Sequence, residues 1–146
     1  MKNKNKVQLK TNYSCPYCRS YLRIWNNIIF TVRFAKNSKQ GILLLNPQLG
    51  NYSCTVHTEL DIKEGELVDF FCPVCDKSLS AHDINDKLVR IVMTDEDGKE
   101  YDVYFSRIAG EESTFKISDN NIIAKYGKDD SYYMNYFVSK FKEAKG

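Results

Sequence analysis

Two short cysteine motifs of the form C-P-x-C constrain this chain more than any other feature of its sequence. They are Cys15-Pro16-Tyr17-Cys18 and Cys72-Pro73-Val74-Cys75. Two residues between a pair of thiolates allow one tight turn to present both sulfurs on the same side, and two such turns supply the four sulfurs of a tetrahedral metal site. Proline in the second place fixes one backbone torsion and removes an N–H that the turn does not need. The sequence therefore predicts a metal site whose ligands are Cys15, Cys18, Cys72 and Cys75.

A bound metal is favoured over disulfides at this site. The chain has five cysteines, an odd number, and the lysines near its start are not followed by the apolar segment of a secretory signal. We therefore expect a cytoplasmic location, where thiols stay reduced. A thioredoxin-like redox motif would lie between a strand and a helix, whereas Tyr21–Trp25, which follows the first pair, has the composition of a strand.

The two cysteine pairs resemble the knuckles of zinc-ribbon and rubredoxin-like proteins. The resemblance covers Tyr13–Ile24 and Asp69–Leu79. It implies a structural zinc ion or, as the alternative, an iron ion in a rubredoxin-like electron carrier. Zinc is preferred because four-thiolate zinc sites are common and because Arg19 and Asp76 stand where rubredoxin-type iron knuckles usually have glycine. The 53 residues from Arg19 to Phe71 exceed the spacer of a simple ribbon and are expected to add strands.

The remaining sequence predicts a mainly β fold, with the knuckles joined to an antiparallel sheet and a short C-terminal helix. Short runs rich in β-branched and aromatic residues alternate with Asn, Asp and Gly, which is typical of strands joined by turns. The predicted strands are Tyr21–Trp25, Ile28–Phe34, Ile42–Leu45, Tyr52–Thr58, Leu67–Phe71, Leu88–Thr94, Tyr101–Arg107, Thr114–Ser118 and Ile122–Tyr126.

The helix is predicted over Ser131–Ala144, where aromatic residues recur at helical spacing. Tyr133, Tyr136, Phe137 and Phe141 form one stripe, which we expect to dock on the protein's own sheet. The preceding Asp129-Asp130-Ser131 is expected to cap the helix. We assign residues 1–12 to a flexible basic tail and residues 13–146 to a single zinc-stabilised β-rich domain.

The other cysteine and the two histidines are not expected to join the metal site. Cys54 and His57 lie three residues apart on a predicted strand, so their side chains point to opposite faces. We predict a buried free thiol for Cys54 and ordinary, non-ligating roles for His57 and His82. Pairs of acidic residues occur without a histidine, a nucleophile or a phosphate-binding loop in a recognisable pattern, so no catalytic residue is nominated.

Charge is divided unevenly along the chain. Residues 1–58 contain nine Lys or Arg and no acid, whereas residues 59–146 contain twelve basic and nineteen acidic residues. Aromatic residues accompany the cations of the first half, which suits binding of a protein or nucleic acid, although the two halves can instead pair with each other.

The longest apolar runs are far below the roughly 20 residues of a membrane span, so no membrane partner is expected. The sequence thus predicts a non-enzymatic zinc protein or interaction module whose partner and oligomeric state it does not identify.

Overall fold

The computed structural model describes residues 11–145, and within this range the chain is mainly β, as predicted. The strands are β1 (Asn12–Ser14), β2 (Arg23–Ile24), β3 (Asn27–Phe34), β4 (Gln40–Leu45), β5 (Cys54–Val56), β6 (Val68–Phe71), β7 (Leu88–Thr94), β8 (Glu100–Ser106), β9 (Thr114–Ser118) and β10 (Asn121–Tyr126). Short 3-10 helices span Thr58–Leu60 and Asp130–Tyr132, and helix α1 spans Met134–Lys145. The helices in this range lack the length and the apolar character that a bilayer crossing requires.

The strands form two antiparallel sheets. Sheet I has the order β1-β7-β8-β9-β10. In sheet II, β3 is central: β2 and β6 pair with different parts of β3, and β4 pairs with β3 and carries β5 on its far side. The long segment between the two cysteine pairs therefore contributes β2 to β6, in agreement with the strands expected there.

Most predicted strands are present, and the differences lie at their ends. Leu88–Thr94 and Thr114–Ser118 match β7 and β9 residue for residue. The prediction over Tyr52–Thr58 is wrong at both ends, because β5 covers only Cys54–Val56 and the chain then turns into a 3-10 helix. Strand β1 was not predicted. Of the predicted basic tail, residues 1–10 lie outside the described residues, and Asn12 begins β1.

The main core lies between the two sheets. Alternate residues of β3, beginning with Ile28 and ending with Phe34, are buried, while the residues between them are partly exposed. This alternation is what a strand with one face on a core requires. Phe30, Phe70 and Phe105 pack together, with centroid distances of 5.2 to 5.8 Å. Because these rings come from β3, β6 and β8, they join sheet II to sheet I.

Helix α1 covers the other face of sheet I. Phe137 is fully buried and its ring contacts those of Tyr104 and Phe115 at centroid distances of 5.1 and 4.5 Å. The predicted stripe is correct for Tyr133, which is also buried, but wrong for Tyr136, whose side chain is 49% exposed. The face of α1 that packs on sheet I is therefore narrower than the predicted aromatic stripe.

The predicted cap before the helix is also different in the structure. Asp129 precedes the 3-10 helix and makes no side-chain capping hydrogen bond there. Its Oδ2 instead accepts a hydrogen bond of 3.0 Å from the backbone N–H of Glu112. The carboxylate thus ties the helical segment to the loop that precedes β9.

We expect Phe137→Ala to lower the free energy of unfolding by about 3 to 5 kcal/mol, because it removes the ring that fills the space between α1 and sheet I. The matched variant Tyr136→Ala, one residue earlier and half exposed, should cost less than about 1 kcal/mol. Urea unfolding followed by circular dichroism measures both. Equal losses for the two variants would contradict the docking described here.

Candidate metal centre

The first cysteine knuckle is a compact hairpin closed by backbone hydrogen bonds. The carbonyl of Cys15 accepts from the N–H of Arg19 at 3.0 Å, and the N–H of Cys15 donates to the carbonyl of Ser20 at 3.0 Å. Further along, the N–H of Leu22 donates to the carbonyl of Tyr13 at 2.7 Å. These bonds fold the chain back between the two cysteines of the pair, so that both sulfurs are on one side of the turn.

The second knuckle repeats this backbone frame at the corresponding positions. The carbonyl of Cys72 accepts from Asp76 at 2.9 Å, the N–H of Cys72 donates to Lys77 at 3.1 Å, and Leu79 donates to Phe70 at 2.9 Å. Each knuckle is also closed by an isolated antiparallel bridge, Ser14 to Tyr21 in the first and Phe71 to Ser78 in the second. The two C-P-x-C sequences therefore adopt one and the same local structure.

The residue after each knuckle adopts a left-handed backbone conformation. Arg19 and Asp76 both have a φ of 63°. Glycine reaches this conformation at little cost, whereas other residues are strained there. The knuckle shape is thus formed without the two glycines, and their absence from the sequence does not distinguish zinc from iron.

The four predicted ligands meet at one point. The distance from Cys15 Sγ to Cys75 Sγ is 3.7 Å, as is that from Cys18 Sγ to Cys72 Sγ, and all four sulfurs lie within 4.8 Å of one another. In a tetrahedral site with zinc–sulfur bonds of ~2.3 Å, the sulfurs are about 3.8 Å apart. These cysteines are not paired in disulfides, and their spacing suits a four-coordinate metal ion.

Backbone N–H groups point at the sulfur of the first cysteine in each knuckle. The N–H of Tyr17 lies 3.3 Å from Cys15 Sγ, and those of Val74 and Cys75 lie 3.3 and 3.4 Å from Cys72 Sγ. Such donors delocalise the negative charge of thiolate ligands and orient them toward a metal. The second shell that a charged four-sulfur site needs is therefore already supplied by the turns.

The four thiols differ in their surroundings. Cys15 and Cys72 are fully buried, and this burial raises the pKa of Cys15 and raises the pKa of Cys72 to about 12. Cys18 is exposed, and hydrogen bonds with the side chain and then the backbone of Ser20 lower its pKa to about 6. A metal ion that binds here must displace protons from the two buried thiols, whereas the exposed sulfur is readily ionised.

The cations beside the knuckles have partners other than sulfur. Arg19 Nη1 forms an ion pair with Glu100 Oε1 at 3.1 Å, and Lys77 Nζ lies 5.2 Å from the ring centroid of Tyr17. These contacts are typical of ordinary surface charges and give the thiolates no direct support.

Cys54 and the two histidines lie outside the four-sulfur cluster, as expected. The prediction that Cys54 is buried is wrong: it lies on β5, a three-residue strand at the edge of sheet II, and its side chain is exposed. His57 starts the following 3-10 helix, where its Nδ1 accepts a hydrogen bond from the N–H of Glu59 at 3.2 Å. His82 is exposed.

The duplication extends beyond the cysteines. Tyr13–Leu22 and Phe70–Leu79 share an aromatic residue two places before the first cysteine and a leucine four places after the second. All four of these flanking residues are at most 5% exposed. Sequence analysis found the repeated cysteines but overlooked this wider pattern, which fixes how each knuckle is anchored in the core.

Each knuckle connects one sheet to the other, and the two knuckles cross between the sheets in opposite directions. The first leaves β1 of sheet I and enters β2 of sheet II. The second leaves β6 of sheet II and continues into residues 79–81, which pair with β7 of sheet I through the bridge from Ser80 to Val89. The four sulfurs therefore lie where the chain crosses twice between the sheets.

The chain matches no protein-family model, and comparisons with curated proteins and with solved structures found no match. What is established about this site is thus its own geometry: four cysteines that could hold a metal ion.

We expect Asp76→Val to lower the free energy of unfolding by about 1 to 2 kcal/mol, because a β-branched residue is strained at positive φ, whereas Asp76→Gly should leave it unchanged or raise it. Lys77→Val is the control, because Lys77, the residue that follows Asp76, does not have a positive φ. Denaturant unfolding in the presence of zinc measures all three. A loss on Asp76→Gly as large as that on Asp76→Val would contradict the assigned backbone conformation.

Proposed function

We propose that the protein is a zinc-binding protein of the zinc-ribbon or rubredoxin-like type, in which the ion has a structural role and the surrounding fold binds another protein. The observation that carries this proposal is the convergence of four sulfurs, within 4.8 Å of one another, from two knuckles with the same backbone frame. Zinc is the proposed ion because closed sites of four thiolates are a common structural zinc set.

A structural role is supported by the place of the site in the fold. The two knuckles are the segments that connect the sheets. The bonds from one metal ion to Cys15, Cys18, Cys72 and Cys75 would link these two segments to each other. Structural zinc contributes an apparent ~10 to 16 kcal/mol in small zinc peptides, which is comparable with the whole stability of an ordinary domain. The ion would thus determine whether the two sheets stay packed together.

The donor set argues against a catalytic metal. Catalytic zinc sites keep one position open for water or substrate, whereas four cysteines complete a tetrahedral shell. Two of the four sulfurs, those of Cys15 and Cys72, are fully buried. The same closed shell would suit an iron electron carrier, which makes the identity of the metal the first property to measure.

The proposed partner surface consists of exposed apolar side chains on and beside the knuckles. We call these the knuckle face, and its members are Tyr17, Tyr21, Ile24, Trp25 and Val74, each at least 50% exposed. Tyrosine and tryptophan are the residues most often found at the energetic centre of protein interfaces. Exposed apolar side chains in this number within two short segments are typical of an interaction site.

A protein partner is favoured over nucleic acid because three cations of the first half, among those that the structure describes, already contact other groups. Arg19 pairs with Glu100 at 3.1 Å and Lys36 pairs with Glu66 at 2.7 Å, so both ion pairs join the basic half of the chain to the acidic half. Arg23 donates to the carbonyl of Trp25 and to Thr11. Fewer free charges then remain for phosphates, which dominate affinity for nucleic acid.

Protein purified under native conditions is expected to contain one zinc ion per chain. Cys72→Ser should abolish stoichiometric zinc and lower the thermal midpoint by more than about 10 °C, since it removes one ligand of a site worth several kcal/mol. Cys54→Ser, which removes the cysteine outside the cluster, should change neither. Elemental analysis and calorimetry provide the two readouts.

A metal-free protein with an unchanged thermal midpoint would overturn the structural role. Stoichiometric iron with visible thiolate absorption and a reversible redox titration would instead support the electron carrier.

The knuckle face is tested with the double variant Tyr21→Ala/Trp25→Ala. Proteins that co-purify with the wild-type chain should be lost, while zinc content is retained, because the substituted side chains are exposed and are not ligands. The control is Ile42→Ala/Ile123→Ala, which removes apolar side chains that are 58% and 50% exposed elsewhere on the sheets. Partners lost equally from both variants would contradict the assignment, and salt-sensitive, nuclease-sensitive binding would identify nucleic acid instead.

A further inference from the structure

A cavity of about 530 Å³ lies between the two sheets, away from the four sulfurs. Its inner wall is apolar and includes Leu45, Leu49, Val56, Ile62 and Phe105, which pack against the core yet remain partly exposed. The space is partly open to solvent, and its volume falls within the range of small-molecule sites.

One wall of the cavity is a loop, residues 46–53, that is fastened at several points. The hydroxyl of Tyr13 donates to the carbonyl of Pro47 at 2.6 Å, and the hydroxyl of Tyr52 lies 2.8 Å from Thr114 Oγ1. Gly127, with a φ of 97°, lies so close to the carbonyl of Glu112 and the hydroxyl of Tyr52 that no larger residue fits without a shift. These contacts fasten the loop to Tyr13 and Thr114, which are both buried.

The opposite wall is fastened by backbone hydrogen bonds between the sheets. The N–H of Gly65 donates to the carbonyl of Ala109 at 2.8 Å, the N–H of Ala109 donates to Glu66 at 2.9 Å, and the N–H of Val68 donates to Arg107 at 3.0 Å. Hydrogen bonds therefore fix both of these lining segments, which is typical of a largely preformed site.

The chemistry of the lining selects an apolar ligand. Several of the polar side chains that line the cavity already have partners: Tyr13 and Tyr52 as described, and Ser106 Oγ, which donates to Glu111 Oε1 at 2.8 Å. Arg107 Nη1 is paired with Asp69 Oδ1 at 2.8 Å. Charged residues of both signs line the cavity in equal number, Lys63, Arg107 and Lys128 against Glu64, Glu111 and Glu112, so the lining has no excess of either charge.

We propose that this inter-sheet cavity is a binding site for a small, uncharged, hydrophobic molecule with an aromatic or aliphatic body. Clefts lined mainly by aliphatic and aromatic side chains take up apolar ligands because binding removes apolar surface from water. The proposal goes beyond the metal and partner functions, since the cavity shares no ligand cysteine with the metal site.

The test uses the full-length, metal-loaded chain and N-phenyl-1-naphthylamine, an uncharged fluorophore whose emission rises in apolar surroundings. Saturable binding of one molecule per chain is expected, and saturating probe should raise the thermal midpoint by about 5 to 10 °C. The thiol of Cys54, which lines the cavity, should react with a disulfide reagent more slowly when the probe is bound. The reaction of the Cys54→Ser variant with the same reagent measures how much the other thiols contribute to the observed rate.

Val56→Phe is the variant designed to fill the cavity, and it should weaken probe binding at least about tenfold. Its control is Ile42→Phe on the adjoining strand β4, where the added ring faces outward from a side chain that is 58% exposed. Both variants should keep their zinc and their cooperative unfolding.

Three results would overturn the proposal: no saturable binding, equal affinity of Val56→Phe and wild type, or binding only in unfolding conditions. Dimerisation of the wild type that Val56→Phe abolishes, without uptake of the probe, would assign the cleft to a second copy of the chain and would also overturn it. None of these results depends on zinc content, so failure here leaves the metal proposal intact, and the reverse also holds.

Discussion

The meeting of the two cysteine knuckles is the constraint on which the remaining structure depends. Each knuckle carries the chain from one sheet to the other, and its outermost hydrogen bond joins two core residues, Leu22 and Tyr13 in the first knuckle and Leu79 and Phe70 in the second. The buried Cys15 and Cys72 are therefore part of the packing between the sheets as well as part of the site. Four mutually close thiols interact only weakly with one another, so a shared metal ion is the strong interaction that this arrangement can support.

The clustering of the four cysteines could be predicted from sequence because the geometry of each knuckle is local. Two residues between cysteines suffice to form each knuckle, and a repeated motif suggests that both serve one ion. Strands β7 and β9 were also predicted residue for residue, since long runs of β-branched and aromatic residues leave little choice. The crossing of the knuckles between two sheets was not predictable, because it depends on pairings such as Asn12 with Thr94, which are remote in sequence.

The sequence predictions that were wrong have a common physical cause. Each depends on how the elements pair and pack in the folded chain. Strand β1 has only three residues, and its pairing with β7 makes it a strand. The aromatic stripe of α1 allowed several docking angles, and the close packing of Phe137 against Tyr104 and Phe115 selects one that leaves Tyr136 outside. Arg19 and Asp76 show the same principle at the backbone level, since closure of each knuckle imposes a left-handed conformation that neither residue prefers.

The first half of the chain is basic and the second half is acidic, yet the attraction between them contributes little to the stability of the fold. The pairs Arg19–Glu100 and Lys36–Glu66 join the basic and acidic halves, but their side chains are substantially exposed, and exposed pairs contribute roughly 0 to 1 kcal/mol. The two halves are instead held by apolar packing, for example that of Phe30 on Phe105, and by the knuckles. Charge pairing therefore partly neutralises these surface cations without determining the structure. Exposed apolar and aromatic side chains also lie on the knuckles, beside the exposed charges of Arg19, Asp76 and Lys77.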